Sequence, residues 1–511
     1  METKRLFQNA GIITFGALIS RLLGFARETI LAAKFGTSAP RGAFDIGSYI
    51  PITLSNLLVA GMVSAVFIPI FTKYLYYNNK EEIKHIYTVV VNQFSLMMIG
   101  LMVVLYVLSP WIIKIQAPGF KPDQYQMTLQ IFQIALPSVY FLGLAALNAG
   151  TLNSLKIFGI PTLGGIIFNA IVVLVTYFFA DQWGINSVAY ALIIGSIGQF
   201  LIQYIWVEKY GIGYRFTKQL SHPAMKEIYA LVIPVLIGSG VNYLAPLIEK
   251  FFGSFLAVDA IPALGYAFKT SQFPIGIFAL AISAVVFPTL SENIICKDHQ
   301  ALVKNLSWAL RFVLFIIVPA ALGLMAIGKP IIRLLFERGE FTSYSTLLTS
   351  KALFWYSLAL VPWSITAVLV KIFYSSHDTK TPVYVALITV LFLFVADYFL
   401  VKIWNYQGLA MGTMISAYVN VVILWIIVRN KYQCLRIKSV LKTAVSTIIA
   451  SLIMAVSLLF VSEKVTPRFL NLSLDLHRAI EVFLLLVIGV GIYSAFIFVF
   501  DRKEIKEVII R

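Results

Sequence analysis

Apolar runs of about twenty residues follow one another from residue 8 to residue 501, separated by short polar or Pro/Gly-rich breaks. A helix of that length crosses a hydrocarbon core roughly 30 Å thick. Cut at the breaks, the chain yields about fourteen helices. Their limits fall near 8–34, 43–73, 85–114, 126–152, 160–180, 186–208, 226–253, 260–291, 304–328, 344–375, 382–402, 407–429, 439–462 and 478–501. Several runs exceed what one crossing needs, so tilt or bending is expected, with Pro51 and Gly61 as bend points of the second helix. A barrel would instead alternate in segments of about ten residues. The pattern predicts an all-α polytopic membrane protein.

The pattern also repeats. "SAVFIP" from Ser64 returns as "SAVVFP" from Ser283, 219 positions later. Pro161 has a counterpart in Pro382, and "WGINSVAYA" from Trp183 in "WNYQGLAMG" from Trp404, both 221 later. Three markers in one order indicate two copies of a six-helix unit. The chain divides into an N-terminal six-helix lobe (1–222), a C-terminal six-helix lobe (223–435) and two additional transmembrane helices (436–511). Six crossings return the chain to its starting side, so the copies are parallel repeats. Transporters built in this way bind substrate between their halves.

Composition sharpens this picture. Of 511 residues 59% are hydrophobic and 12% charged, against about 25% charged in soluble domains. The net charge of +17 suggests nucleic acid, but membrane proteins gather Lys and Arg in cytoplasmic loops and near anionic headgroups. No soluble domain presents a basic face, so no nucleic-acid partner is expected. Placing the N-terminus in the cytoplasm puts the larger basic set inside, including Lys73, Lys80, Lys84, Lys209, Arg215, Lys218, Lys226, Arg429, Lys431, Arg436, Lys438, Lys442, Arg502, Lys503 and Lys506. Fourteen crossings then put both termini there. The start, "METKRLFQNAGIITFGALIS", reads as a retained first helix rather than a signal peptide. Cys296 and Cys434 carry no metal-ligand spacing, and the five histidines form no ligand pair. No phosphate-binding Gly-Lys-Ser/Thr loop appears, and no loop exceeds about twenty residues. The chain is expected to be a transporter without cofactor or metal, and not an enzyme.

Charge inside the spans carries the candidate chemistry. Arg21, Arg27, Glu28, Asp45, Glu249, Lys250, Lys269 and Asp397 fall within predicted helices. A charge at the bilayer centre costs roughly 2.5–3.5 kcal/mol on insertion scales. Lys250, Arg333 and Arg338 lie near helix ends and can snorkel; Arg21 and Lys269 lie deeper. Arg21 and Glu28, seven apart, share a helical face, whereas Arg27 diverges from Arg21 by roughly 120°. Glu28 is therefore expected to neutralise Arg21 in part while Arg27 projects elsewhere. Guanidinium suits bidentate contact with phosphate oxygens and lysine serves as a point charge. Cations with little else charged point to an anionic substrate, a phosphate or diphosphate.

"SRLLGFARE" (Ser20 to Glu28), "AGMVSAVFIPIF" (Ala60 to Phe71), "FPIGIFALAISAVVFPTLS" (Phe273 to Ser291), "LLFERGEFT" (Leu334 to Thr342) and "FYSSHDTKTPV" (Phe373 to Val383) resemble the MurJ (MviN) lipid II flippases, in order and over the whole chain. That family belongs to an exporter superfamily that also holds oligosaccharide-lipid flippases and multidrug antiporters. The resemblance implies a multi-pass protein of the bacterial plasma membrane that moves lipid II, an undecaprenyl-diphosphate-linked peptidoglycan precursor, from inner to outer leaflet by alternating access. Arg21 and Arg27 match family cavity arginines, Arg27 looking like a diphosphate contact, and a cavity arginine of the eighth helix falls on Lys269. Where many members have an aspartate before "AFF", this chain has Gly42, with Asp45 three positions on. Where many have an arginine pair in the second helix, it has Ser55 and Asn56. Some members bind sodium through carboxylates on helices seven and eleven, which look like Glu249 and Asp397, although a nearby family asparagine is Leu393 here. A sodium ion or the membrane potential, worth about 2.3 kcal/mol per charge through 100 mV, would drive the cycle. The partners implied are lipid II or a similar polyprenyl-diphosphate lipid and the surrounding membrane lipids, with the protein a monomer. Two alternatives are a flippase for another polyprenyl-linked oligosaccharide and a multidrug or cation antiporter, which should line its cavity with acids.

Overall fold

Each apolar run becomes a helix. The computed structural model describes residues 2–77, 80–217, 222–432, 437–465 and 474–500. Lys218, Cys434, Arg436, Arg502, Lys503 and Lys506, named above, lie outside the described residues. We label the helices α1 (Glu2–Phe35), α2 (Ala39–Tyr77), α3 (Lys80–Gln116), α4 (Pro122–Ser154), α5 (Gly159–Trp183), α6 (Asn186–Lys209) and α7 (Pro223–Gly253). After them come α8 (Ala260–Ile295), α9 (His299–Phe336), α10 (Ser343–Ser375), α11 (Lys380–Trp404), α12 (Tyr406–Tyr432), α13 (Ile437–Val465) and α14 (Leu474–Phe500). Among the described residues, α2 to α14 supply thirteen helices long and apolar enough to cross a membrane. With α1, which carries the charged first motif, there are fourteen. No strand occurs among the described residues. The chain is a multi-pass, all-helical membrane protein.

Prolines set the irregularities. A proline ring lacks the amide hydrogen and collides with the carbonyl four residues back. Accordingly α2 breaks at Ser48, three residues before Pro51, and α9 has non-helical Ile327 (φ −111°, ψ 19°) three before Pro330. Farther along α2, Leu58–Phe67 widens into a π-helix that contains Gly61. In α8, Ile275–Ala279 does the same directly after Pro274. Helix α7 tightens into a 3-10 turn at Val241–Tyr243, after Gly240.

The duplication is written in the backbone as well. Helices α5 and α11 are each 25 residues long and begin 221 positions apart. The turn before each carries one left-handed residue, Lys156 (φ 63°) and His377 (φ 58°), again 221 apart. Gly184 and Asn405, which follow the two helices, both adopt φ 53°. Their ψ values, −144° and −140°, match as well.

By packing, the chain forms two units, Met1–Val258 and Asp259–Arg511. In the first, Phe67, Phe71, Tyr87, Phe94 and Phe132 lie in the main core, and α7 packs on the π-helical part of α2. In the second, Leu310, Val313, Ile317, Leu369 and Phe373 do so. There α13 and α14 pack on α9 through Ile327, Met454, Leu458, Leu485 and Tyr493. The pairings α2 with α4, α4 with α6 and α5 with α6 recur as α8 with α10, α10 with α12 and α11 with α12. Large apolar side chains such as Phe178, Leu391 and Phe483 face outward, as a hydrocarbon solvent requires. Some buried polar groups pair with one another: Tyr87 donates to Asn148 Oδ1 at 2.6 Å, and Arg311 Nε donates to Thr443 Oγ1 at 2.9 Å.

Candidate substrate site

The first charged motif ends in a tight corner. Gly36 takes φ 53° and donates its N–H to the Ala32 carbonyl at 2.8 Å, closing α1 with the left-handed residue that helix ends favour. Ser38 is extended, and Pro40 supports the first turn of α2. The chain thus folds back, and Arg41 and Asp45, four apart on one face of α2, meet Glu28 of α1.

Four charges assemble there. Arg27 Nη2 donates to Glu28 Oε1 at 3.2 Å, and Arg41 Nη2 donates to Glu28 Oε2 at 3.1 Å. The same Arg41 nitrogen lies 3.1 Å from Asp45 Oδ1, and its guanidinium carbon is 5.6 Å from the Phe44 ring centre. Two cations and two anions sum to zero, which makes burial tolerable where isolated charges would not be. Exposure separates the members. The Arg41 side chain is 0% exposed, Glu28 7% and Asp45 13%, whereas Arg27 is 26% exposed. Arg27 is the most exposed member of the four. Nearly two turns beyond Glu28, in the last turn of α1, Lys34 Nζ reaches the Asp181 carboxylate at 2.7 and 2.9 Å and ties α1 to α5.

The other predicted residues are distributed as follows. Arg21 is exposed on α1. Ser55 is buried and its hydroxyl donates to the Pro51 carbonyl at 2.9 Å, a bond local to α2; Asn56 next to it is exposed. Glu249 is half-buried on α7 in the first unit. Its neighbour Lys250 sits 4.7 Å from the Tyr49 ring centre, and Tyr49 donates to the Tyr243 carbonyl at 2.8 Å. In the second unit Lys269 is half-buried on α8, and Asp397 is fully buried on α11 against Gly412 of α12. The structure therefore joins Arg27, Glu28 and Asp45, while Glu249 and Asp397 stand in different packing units. Arg41 was missed by the sequence pattern, which placed residues 35–42 in a loop; its spacing of four from Asp45 was the available signal. Among the described residues no group of three or more His, Cys, Asp or Glu is placed to hold a metal ion, and Cys296 is a free, exposed thiol.

A family model described as lipid II flippase MurJ matches residues 31–478. The chain belongs to the MurJ lipid II flippase family. A probable lipid II flippase MurJ of Vibrio cholerae serotype O1 is 28% identical over 435 residues, covering 83% of each chain. A solved lipid II flippase MurJ in an inward closed conformation has a TM-score of 0.81 at 26% identity, covering 96% of this chain and 99% of that one. An inward-facing MATE multidrug transporter of the MOP superfamily has a TM-score of 0.68 at 12% identity, covering 81% and 94%; it shares the fold.

Family membership explains two of the motifs in physical terms. In "LLFERGEFT" Gly339 takes φ 55°, and Thr342 caps α10 by accepting from the Ser345 N–H at 3.4 Å. Glu337 in the same turn accepts from Arg478 of α14 at 2.8 Å and from the Thr346 hydroxyl at 2.6 Å. In "FYSSHDTKTPV" Asp378 accepts from the Thr381 N–H at 3.1 Å and hydroxyl at 2.8 Å, and from Lys431 Nζ at 2.6 Å. The lysine hydrogen bond, with the Thr381 contacts, pulls the Asp378 carboxyl down to about 2. Both motifs are helix corners whose carboxylate, Glu337 or Asp378, is held by side chains of its own corner and of a neighbouring helix.

Proposed function

We propose that this chain flips lipid II from the inner to the outer leaflet of the bacterial plasma membrane by alternating access, with both termini in the cytoplasm. The family match over residues 31–478 carries the reading, and the part-exposed guanidinium of Arg27 beside buried Glu28 gives it a chemical centre. A diphosphate leaving water needs charged donors in its place. Arg27 supplies a planar fork for its oxygens, Arg21 on the same helix adds a second cation, and Lys269 stands at a family cation position as a point charge. Glu28 and Asp45 set the charge around Arg27. Ser55 and Asn56 occupy the family's arginine positions without charge. The polyprenyl tail stays in lipid, and the protein works as a monomer in lobes 1–222 and 223–435, with 436–511 as additional helices. Glu249 and Asp397 are proposed carboxylates for a coupling sodium ion, with the membrane potential as the other source of drive.

The experiment is depletion in the host with the outer-leaflet pool of lipid II measured directly. Translocation should stop on depletion and return with the wild-type chain. Arg27→Ala should insert normally and fail to restore it. Unchanged translocation after depletion would overturn the function, and full rescue by Arg27→Ala would overturn the role of that residue.

A further inference from the structure

Arg41 is the most deeply buried cation near the proposed site, yet it reaches no surface from which to touch substrate. Stability alone does not account for it. Buried ion pairs can be replaced by apolar side chains of similar volume with no loss, and often with gain. The second sequence copy shows such a replacement. At offsets of 219 or 221, Arg41 corresponds to Ala260 or Pro262 and Asp45 to Leu264 or Tyr266, all buried and uncharged. The same helix corner therefore packs without these charges, and the first copy retains them for another reason.

That reason lies in how Glu28 is divided. Its Oε1 faces Arg27 and its Oε2 faces Arg41. A carboxylate beside Arg27 is an internal stand-in for the anion that Arg27 is to bind. Bound to Arg27 through both oxygens, it would close the guanidinium fork in the bidentate geometry that guanidinium and carboxylate prefer. Arg41 prevents this by holding Oε2, and Asp45 balances the charge that Arg41 brings.

We propose that Arg41 is a positioning residue that, by retaining one oxygen of Glu28, keeps part of the Arg27 guanidinium available for the substrate diphosphate. The inference rests on Arg27 as the substrate cation. In the absence of Arg41, Glu28 turns fully to Arg27 and the diphosphate must displace a stronger competitor.

The test is equilibrium binding of lipid II to purified protein in nanodiscs, with thermal melting of every variant as a folding control. Arg41→Met should weaken binding about tenfold or more, the scale of one charge-assisted hydrogen bond, and Arg41→Lys should weaken it less. The decisive arm is Glu28→Gln combined with Arg41→Met, which removes the competing charge and should bind more tightly than Arg41→Met alone. A purely structural role predicts the reverse, since two defects in one buried cluster would accumulate; a double variant that binds no better than Arg41→Met overturns the proposal. Should Arg41→Met fail to fold, the uncharged set Glu28→Gln, Arg41→Met and Asp45→Asn replaces it. That set should still bind lipid II through Arg27, and loss of binding in a folded triple variant overturns the proposal. Arg27→Ala is measured beside them. If it binds as the wild type does, the reading of Arg27 fails, an outcome distinct from failure of the Arg41 pattern.

Discussion

Arg478→Met tests what fastens the C-terminal helix pair to the rest of the second unit. Arg478, near the start of α14, donates through Nη1 to the Glu337 carbonyl at 2.6 Å and through Nη2 to Glu337 Oε1 at 2.8 Å. The two side chains are 10% and 16% exposed, so little water replaces a lost partner. Methionine keeps the length and apolar stem while removing both bonds. Breaking one partner of a buried pair costs about 3–5 kcal/mol. Thr346 stays on Oε2 at 2.6 Å and Arg333 lies 3.9 Å away, which places the expected cost near the lower limit, about 3 kcal/mol. If the whole chain melted, an unfolding entropy of about 2 cal/mol/K per residue would turn this into a fall in Tm of about 3 °C. Membrane helices keep much of their structure on denaturation, so the entropy is smaller and the fall larger. Arg478→Met, Glu337→Gln and the double variant are melted in one detergent to close a double-mutant cycle. A coupling of about 2 kcal/mol is expected for contacting partners. Additivity within about 0.5 kcal/mol would refute the clasp.

Three further outcomes follow from single contacts. Asp378 has its carboxyl lowered from 3.8 to about 2, so its stabilisation is complete above the ordinary value and disappears as pH falls through the folded one. The melting deficit of Asp378→Asn at pH 6 should therefore shrink between pH 3.8 and about 2; because Lys431 is half exposed, the ion-pair part is under about 1 kcal/mol. A Cβ placed on Gly412 would collide with Asp397 Oδ1, so Gly412→Ala should cost about 1–3 kcal/mol as overpacking, and Asp397→Ala in the same chain should recover part of the lost Tm. Tyr87→Phe leaves buried Asn148 without its 2.6 Å donor and should lower stability by about 1–3 kcal/mol, read in the same melts.

The fold was legible because its rules are local. Apolar length located the helices, six crossings per copy gave parallel repeats, and the markers 221 apart reappear as matched turns at Lys156 and His377 and at Gly184 and Asn405. Pro51 announced the break in α2, and Gly61 marked the place of the second irregularity, but nothing local announced that Leu58–Phe67 would widen into a π-helix rather than bend. The site was legible in part. Arg27 and Glu28 stand out because charge is rare inside a span. Arg41 does not, because a polar residue beside Gly36, Ser38 and Pro40 reads as a loop, and its burial depends on a corner that returns α2 to α1. Helical spacing suggested Arg21 as the partner of Glu28, but a tertiary contact supplied Arg41. Spacing within one helix cannot anticipate a donor thirteen residues away on another.

The irregularities of the backbone are unevenly spread over the helices. In a membrane, departures from helix survive only where protein or a water-lined cavity covers the freed groups, and transporters place such breaks at their working helices. Here the pairs α5 with α6 and α11 with α12 are unbroken. The breaks gather in α2, α7, α8 and α9, with a further interruption of α4 at Leu136 before Pro137. Helices α2 and α8 occupy equivalent places in the two copies, and each carries a π-helical stretch. In the first unit one break answers another. The Tyr49 hydroxyl, one residue past the Ser48 interruption of α2, satisfies the Tyr243 carbonyl in the 3-10 turn of α7. A contact made by side chain to backbone across two interrupted helices can be exchanged at little cost, whereas the regular hydrogen bonds of α5 and α6 cannot. The charged corner at Arg27 and Arg41 therefore sits where α1, tied to straight α5 through Lys34 and Asp181, meets the interrupted α2, so that movement of α2 would carry Arg41 and Asp45 relative to Glu28.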